Sequence, residues 1–265
     1  MVWITGASSG IGEALAQAFA QAGARLILSG RRAAELERVA AACTGTPLRL
    51  AAGPHPAPGI RPAVADSTPL PAGSMSRSTT PEAQRALAQE TLPAVERAIM
   101  EVNYFGPVGL TKAALPLLLA QGAGSVVVIS SVMGYLGTPM RSAYAASKHA
   151  LHGWFDCLRE ETRPTGLHVG LVCPGYVRTQ ISTHALTATG SANARPDSNS
   201  TRGIAPEACA AAILRAVASR RDEILVGGPE IWAVRLKRFA PRLWTWLLRR
   251  EVARGRFGPS SPTRP

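Results

Sequence analysis

Four cysteines stand in this chain of 265 residues, at positions 43, 157, 173 and 209, with no CxxC pair and no metal-ligand spacing. That excludes a disulfide scaffold and a zinc module and favours a reducing, cytoplasmic setting, with the four thiols filling the core. The histidines give no metal site either: His149 and His152 lie too close together for a zinc pair, and His55, His168 and His184 are scattered. No signal peptide and no long apolar span are present, so no segment reads as membrane-crossing. There is no internal repeat. Acidic side chains are scarce, 17 against 29 Lys and Arg, which leaves a net charge of +12 and raises anionic partners as a question. What the chain has is 46% apolar residues, enough for one large α/β core in a single domain.

The first fourteen residues hold a short apolar run, Val2-Trp3-Ile4-Thr5, a glycine-rich turn and then a helical pattern from Ile11. A strand, a loop and a helix in this order make a phosphate cradle: Gly6 permits a tight turn, Gly10 lets backbone approach a pyrophosphate, and Gly12 lets helix and strand pack closely. Gly6, Ser8, Ser9, Gly10, Ile11 and Gly12 are therefore candidate cofactor contacts. The spacing differs from GxGxxG, and the Gly-Lys-Ser/Thr of a P-loop is absent.

Further on, the strand-like run Ser125-Val126-Val127-Val128-Ile129-Ser130 delivers Ser131, and thirteen residues later Tyr144 precedes Lys148 by four. On a helix those two share a face about 6 Å apart, so the ammonium is expected to pull the phenol down from its ordinary value near 10. A hydroxyl, a phenol and an ammonium so placed form a proton-transfer site.

Together these motifs resemble the short-chain dehydrogenase/reductase family, with its TGxxxGxG near the start and Ser...YxxxK past the middle. The resemblance runs from about Val2 to about Leu225. It implies a Rossmann-type fold and an alcohol–carbonyl oxidoreductase, with a homo-oligomeric state and a small substrate. It makes Tyr144 the acid/base, Lys148 its pKa modulator and ribose ligand, and Ser131 the group that polarises the carbonyl. Asn103 matches the helix asparagine that holds a relay water. Cys173-Pro174-Gly175-Tyr176-Val177-Arg178-Thr179 matches PGxVxT, so Pro174, Gly175, Val177 and Thr179 would border the nicotinamide.

After the second strand-like run come Arg31 and Arg32, where a dinucleotide fold that prefers NAD offers a carboxylate to the ribose. Two guanidiniums suit a 2′-phosphate, so NADP(H) is the expected cofactor, with NAD(H) the alternative.

Alternating strand-like and helix-like stretches predict a doubly wound parallel sheet, with strands near 2–5, 25–29, 47–50, 125–130, 167–172 and 223–226. Helices are expected over 33–42 and 206–217. The expected layout is a Rossmann-type domain over 1–228, a basic amphipathic helical extension over 229–252 and a disordered tail over 253–265. Residues 180–202 read as a variable loop on the substrate side.

One stretch departs from this pattern. Between Leu50 and Ala83, where the family has its third strand with an Asp and its fourth strand ending in Asn-Asn-Ala-Gly, the chain is rich in Pro, Ser and Thr. Prolines cannot sit in a central strand, so the sheet is expected to lack its middle. Two readings stay open. One is a disordered proline-rich insertion. The other is a shifted reading frame: one base along, the codons for 50–56 admit Leu-Pro-Leu-Asp-Leu-Thr, and two bases along, those for 66–83 admit Leu-Asp-Ala-Ala-Ala-Gly-Gly-Val-Asp-Val-Ala-Val-Asn-Asn-Ala-Gly.

The C-terminal stretch 230–250 interleaves Ile231, Trp232, Leu236, Phe239, Leu243, Trp244, Trp246 and Leu247 with Arg235, Lys237, Arg238, Arg242, Arg249 and Arg250. It fits a cover over the substrate pocket or a subunit contact, which is the favoured reading, with a peripheral membrane contact as the alternative. Pro241 splits it into halves too short to span a bilayer. The apolar cover favours a lipophilic substrate. No nucleic-acid-binding module is recognisable.

Overall fold

A computed structural model describes residues 1–43, 48–51, 74–77, 83–193 and 201–255. In these, seven strands form a parallel sheet in the order β3-β2-β1-β4-β5-β6-β7. They are β1 (Val2–Thr5), β2 (Leu26–Gly30), β3 (Leu48–Ala51), β4 (Ser74–Arg77), β5 (Gly124–Ile129), β6 (Leu167–Pro174) and β7 (Glu223–Val226). The helices are α1 (Gly10–Gln21), α2 (Ala33–Ala42), α3 (Pro93–Met100), α4 (Gly106–Ala120), α5 (Ser142–Thr162), α6 (Pro206–Ala218), α7 (Trp232–Phe239) and α8 (Pro241–Ala253).

Strand periodicity divides the apolar residues between two cores. Val2, Ile4, Leu26, Leu28, Val127 and Ile129 face α1, α2 and α6 through Leu15, Phe19, Val39 and Ile213. Their sequence neighbours Trp3, Ile27, Val126 and Val128 face α4 and α5 through Leu110, Leu118, Leu151 and Phe155. The sheet is thus covered on both faces, as parallel strands require. Its winding reverses between β1 and β4, so the cofactor crevice of such a fold opens at the C-terminal ends of those two strands.

The expected strands are present with ends shifted by one or two residues. The exception is the middle. The expectation of a missing central strand is corrected: the backbone of Ser74–Arg77 runs parallel between β1 and β5, with Ser76 in register with Ile4 and Val127. Backbone hydrogen bonding is available to any non-proline residue, so this four-residue interval between Pro71 and Pro81 can complete the ladder. The flanking proline-rich residues, including the positions of the family's Asp and its Asn-Asn-Ala-Gly, lie outside the described residues, as do 194–200 of the expected loop and 256–265 of the expected tail. The four thiols are free; Cys43, Cys173 and Cys209 are buried, but Cys157 is exposed and fills no core.

Candidate active site

β1 ends at a turn in which Gly6 and Gly10 adopt left-handed backbone, with φ of 66° and 58°, a region costly for other residues. A Cβ on Gly12 would stand 2.3 Å from the Gly6 carbonyl oxygen, so only glycine lets α1 sit this close to β1. A Cβ on Gly10 would meet the Thr179 methyl at 3.1 Å, so the two segments expected to border a cofactor, distant in sequence, lie side by side. α1 starts at this loop and the Ser9 hydroxyl does not cap it. Ser8 is buried and Ile11 is partly buried against the first core. The Arg32 guanidinium donates to the Ser9 hydroxyl at 2.8 Å and the Ser8 hydroxyl at 3.3 Å, folding across the loop. Arg31 is exposed beside it. Close backbone, a helix N-terminus and two guanidiniums form a site that fits a dinucleotide phosphate.

β5 runs out at Ile129 and presents Ser131 in extended backbone. The Ser131 hydroxyl accepts from the Met133 N–H at 3.2 Å, donates to the Pro174 carbonyl at 3.4 Å and lies beside the Tyr144 phenol, whose pKa it acts to lower. Lys148, one turn further along α5, donates to the Ile129 carbonyl at 3.1 Å, and its Nζ stands 5.7 Å from the Tyr144 ring centre. Ser131, Tyr144 and Lys148 are all buried. The expected fall in the Tyr144 pKa is corrected: burial pushes it up, outweighing the lowering by the nearby Ser131 hydroxyl and the Arg141 charge.

Asn103 sits in a π turn, Glu101–Phe105, that joins α3 to α4. Its cause is local. Pro107 has no N–H for the i−4 carbonyl, that of Asn103, and the helix widens, the Gly106 N–H donating to the Glu101 carbonyl five residues back. Buried Asn103 donates through Nδ2 to Ser147 Oγ at 3.1 Å, and that hydroxyl donates to the Tyr144 carbonyl at 2.8 Å. The asparagine is thereby tied to the helix of Tyr144. Pro174 ends β6, and Val177 is buried with Tyr176 and Arg178 bonded to Ile204 on either side.

Three supporting residues escaped the sequence reading. Gln84 is fully buried, and its Oε1 accepts from the Ala143 N–H at 2.7 Å. It serves as the cap that Arg141 does not give α5; a lone Gln in a stretch of irregular composition carries no signal of this. The Glu230 carboxylate accepts from the N–H groups of Tyr176 at 2.8 Å and Gly228 at 3.0 Å, and packs where a Cβ on Gly175 would fall. His152, passed over in the sequence, lies behind Ser131: Nε2 is 2.8 Å from Ser130 Oγ and 3.6 Å from Cys173 Sγ, with Tyr135 edge-on at 4.5 Å. Burial lowers the His152 pKa to about 4 and raises the Cys173 thiol to about 12. Only its helical phase, eight residues after Tyr144, could have pointed there.

The short chain dehydrogenase pattern matches residues 1–52 and 78–189, passing over the stretch between. The chain is 37% identical over 268 residues to the dehydrogenase/reductase SDR family protein 7-like of Drosophila melanogaster, covering 96% of this chain and 81% of that protein. It is 39% identical over 257 residues to the dehydrogenase/reductase SDR family member 7B of Xenopus laevis, covering 92% and 79%. Among solved structures it is similar to a short-chain dehydrogenase from Streptomyces avermitilis, with 29% identity, TM-score 0.77 and coverage of 96% and 97%. A short chain dehydrogenase from Burkholderia cenocepacia in complex with NADP shares the fold at 22% identity and TM-score 0.78, covering 93% and 96%. With the glycine turn on β1, Ser131 at the end of β5 and Tyr144 and Lys148 on α5, this similarity over nearly the whole length places the chain in the short-chain dehydrogenase/reductase family of oxidoreductases.

Proposed function

We propose that the protein is an NADP(H)-dependent oxidoreductase interconverting an alcohol and a ketone or aldehyde, with Tyr144 as acid/base. The observation that carries this reading is the buried contact of Ser131 with Tyr144, beside Lys148 and braced by Asn103 through Ser147. Bound NADPH supplies the hydride. The Ser131 hydroxyl orients the carbonyl oxygen, and Tyr144 delivers the proton to it. A phenol kept protonated by burial suits the reductive direction at neutral pH. Lys148 stabilises the phenolate left behind and is positioned to hold a ribose. Gly6, Ser8, Ser9, Gly10, Ile11 and Gly12 line the phosphate loop, Arg31 and Arg32 face a 2′-phosphate, and Pro174, Gly175, Val177 and Thr179 border the nicotinamide. The substrate is a small lipophilic carbonyl compound, the assembly a homo-oligomer and the setting reducing and cytoplasmic, in keeping with four free thiols.

A second reading, a catalytically impaired relative that binds ligands, is favoured by the polar composition of β4, Ser-Met-Ser-Arg, at the edge of the crevice. NADPH and NADH oxidation across a panel of aldehydes and ketones separates the two. The first reading expects turnover with NADPH and, on Arg32→Ala or Arg31→Ala, a loss of about tenfold or more for NADPH with little change for NADH, since a charge-assisted contact is worth about 1.5 to 3 kcal/mol. Equal weakening of both cofactors would reduce the arginines to solvated turn residues. Cofactor binding without turnover on any substrate would favour the second reading.

A further inference from the structure

The C-terminal helix pair carries two apolar faces, and the site uses one of them. The inner face is packed: Val234 is buried with Val132 and Leu136, and Ile231, Ala233 and Trp244 close over the same cluster. Lys237 donates to the Tyr135 carbonyl. The pair thus covers the turn that directly follows Ser131. The outer face is open. Trp232 is 60% exposed, Phe239 79%, Leu243 47% and Trp246 56%.

Charge identifies what this face fits. Between Glu230 and Gly255 the basic residues are Arg235, Lys237, Arg238, Arg242, Arg249, Arg250 and Arg254, against Glu230 and Glu251. Glu230 is turned inward onto the Tyr176 and Gly228 N–H groups, and Glu251 pairs with Arg254 at 2.9 Å. Two guanidiniums stack beside the open indoles, Arg235 at 4.5 Å from the Trp232 ring centre and Arg250 at 5.5 Å from that of Trp246. A second copy laid face to face would oppose like charges, which costs association. An anionic lipid surface accepts both components: headgroups take the guanidiniums, and Trp, Phe and Leu enter the acyl boundary. With Pro241 at their junction, helices of 8 and 13 residues extend about 12 Å and 20 Å, too short to cross. No helix among the described residues can span a bilayer.

We propose that the outer face of α7 and α8 docks the protein onto anionic phospholipid membranes, with Phe239, Leu243 and Trp246 inserted and Arg238, Arg242, Arg249 and Arg250 at the headgroups. This docking is independent of turnover at Tyr144.

Flotation of the full-length chain with phosphatidylcholine vesicles, with and without phosphatidylserine, tests it. Binding is expected to the phosphatidylserine vesicles, and to fall steeply between about 0.05 and 0.5 M salt as the Debye length shrinks. Arg242→Glu with Arg249→Glu should lower partitioning by more than about 25-fold, at roughly fivefold for each basic residue removed. Phe239→Asp with Trp246→Asp should also release the protein from vesicles, and both variants should keep the wild-type thermal transition. Three results would overturn the proposal: no flotation with phosphatidylserine, flotation unchanged by the charge reversal, or a concentration-dependent dimer that Phe239→Asp dissociates without any vesicle binding. Salt-sensitive binding to a single-stranded oligonucleotide in place of vesicles would also overturn it and assign the face to nucleic acid.

Discussion

β4 and β5 lie side by side at the centre of the sheet, both parallel and both paired to a neighbour on each side, yet they are written in different chemistry. β5 reads Gly-Ser-Val-Val-Val-Ile, the near-continuous apolar run of a strand covered on both faces. β4 reads Ser-Met-Ser-Arg, which no pattern rule assigns to such a place. β4 is placed by its backbone pairing to β1 and β5, whereas the apolar side chains of β5 are also buried on both faces. The location of β4 favours the shifted reading frame: two bases along, the codons spanning Gly73 to Ser78 admit Val-Asp-Val-Ala-Val, an apolar strand over the very residues that pair here. The family pattern likewise passes over 53–77 and resumes at 78. Thr5, in register with Arg77, has a buried hydroxyl with no hydrogen-bond partner among the described residues, at the strand end where that frame continues into Asn-Asn. We propose a frame-shifted segment, from a sequencing error or a real mutation, within an otherwise family-like chain; resequencing the gene tests it against a tolerated insertion.

The largest expected effect lies on the β5 side. Tyr144→Phe removes the proton donor and should lower kcat by about 10²- to 10⁴-fold while NADPH binding stays within about threefold, since the loss falls in the transition state. Steady-state rates with fluorescence titration of NADPH check this; retained turnover would take Tyr144 out of the mechanism. The β4 side comes next. Replacing Gly73–Ser78 by the sequence of the shifted frame should stabilise the fold by about 1 kcal/mol per strand position, and calorimetry should show Tm rising by about 2 to 4 °C for each. An unchanged Tm would mean that β4 is satisfied as it stands, and the frame-shift inference would fall.

Gln84 joins the two halves, because it follows the irregular stretch and caps the helix of Tyr144. Gln84→Ala leaves the Ala143 N–H buried without its acceptor, a loss of about 1 to 3 kcal/mol. Chemical denaturation should show that destabilisation, and kcat should fall more than NADPH affinity; an equal fall in both would restrict Gln84 to general stability.

The smallest effect is in pH. His152 is held neutral with a pKa lowered to about 4 from an ordinary value of 6.5. Between those values the unfolded chain binds the proton and the folded one does not, so stability declines as pH falls from 6.5 towards 4. His168 is shifted downward too and adds to the same trend. Denaturation midpoints across that range should fall for the wild type and fall less steeply in His152→Asn, the remaining slope belonging to His168.

How much was legible in the sequence follows the same division. Tyr144, Lys148 and the turn of Gly6, Gly10 and Gly12 could be read because their chemistry depends on local spacing, four residues on one helix face or a glycine at a fixed interval. Val126 to Ile129 revealed a strand because burial on two faces demands an apolar run. The strand at Ser74 was illegible because its residues carry no such demand. The rise of the Tyr144 pKa was illegible as well: spacing put Lys148 near the phenol, but the balance between that charge and desolvation depends on how much protein covers the ring.

The sequence by itself determined the family, the spacing of Tyr144 and Lys148, the glycine turn after β1 and the strands other than β4, all of which are set by short-range patterns. Tertiary structure alone decided that Gln84 caps α5, that Glu230 holds the loop after Pro174, that His152 packs behind Ser131 and that one face of the C-terminal helices is left open. Each joins residues dozens of positions apart or depends on which side of an element the core covers, and the linear spacing of residues records neither.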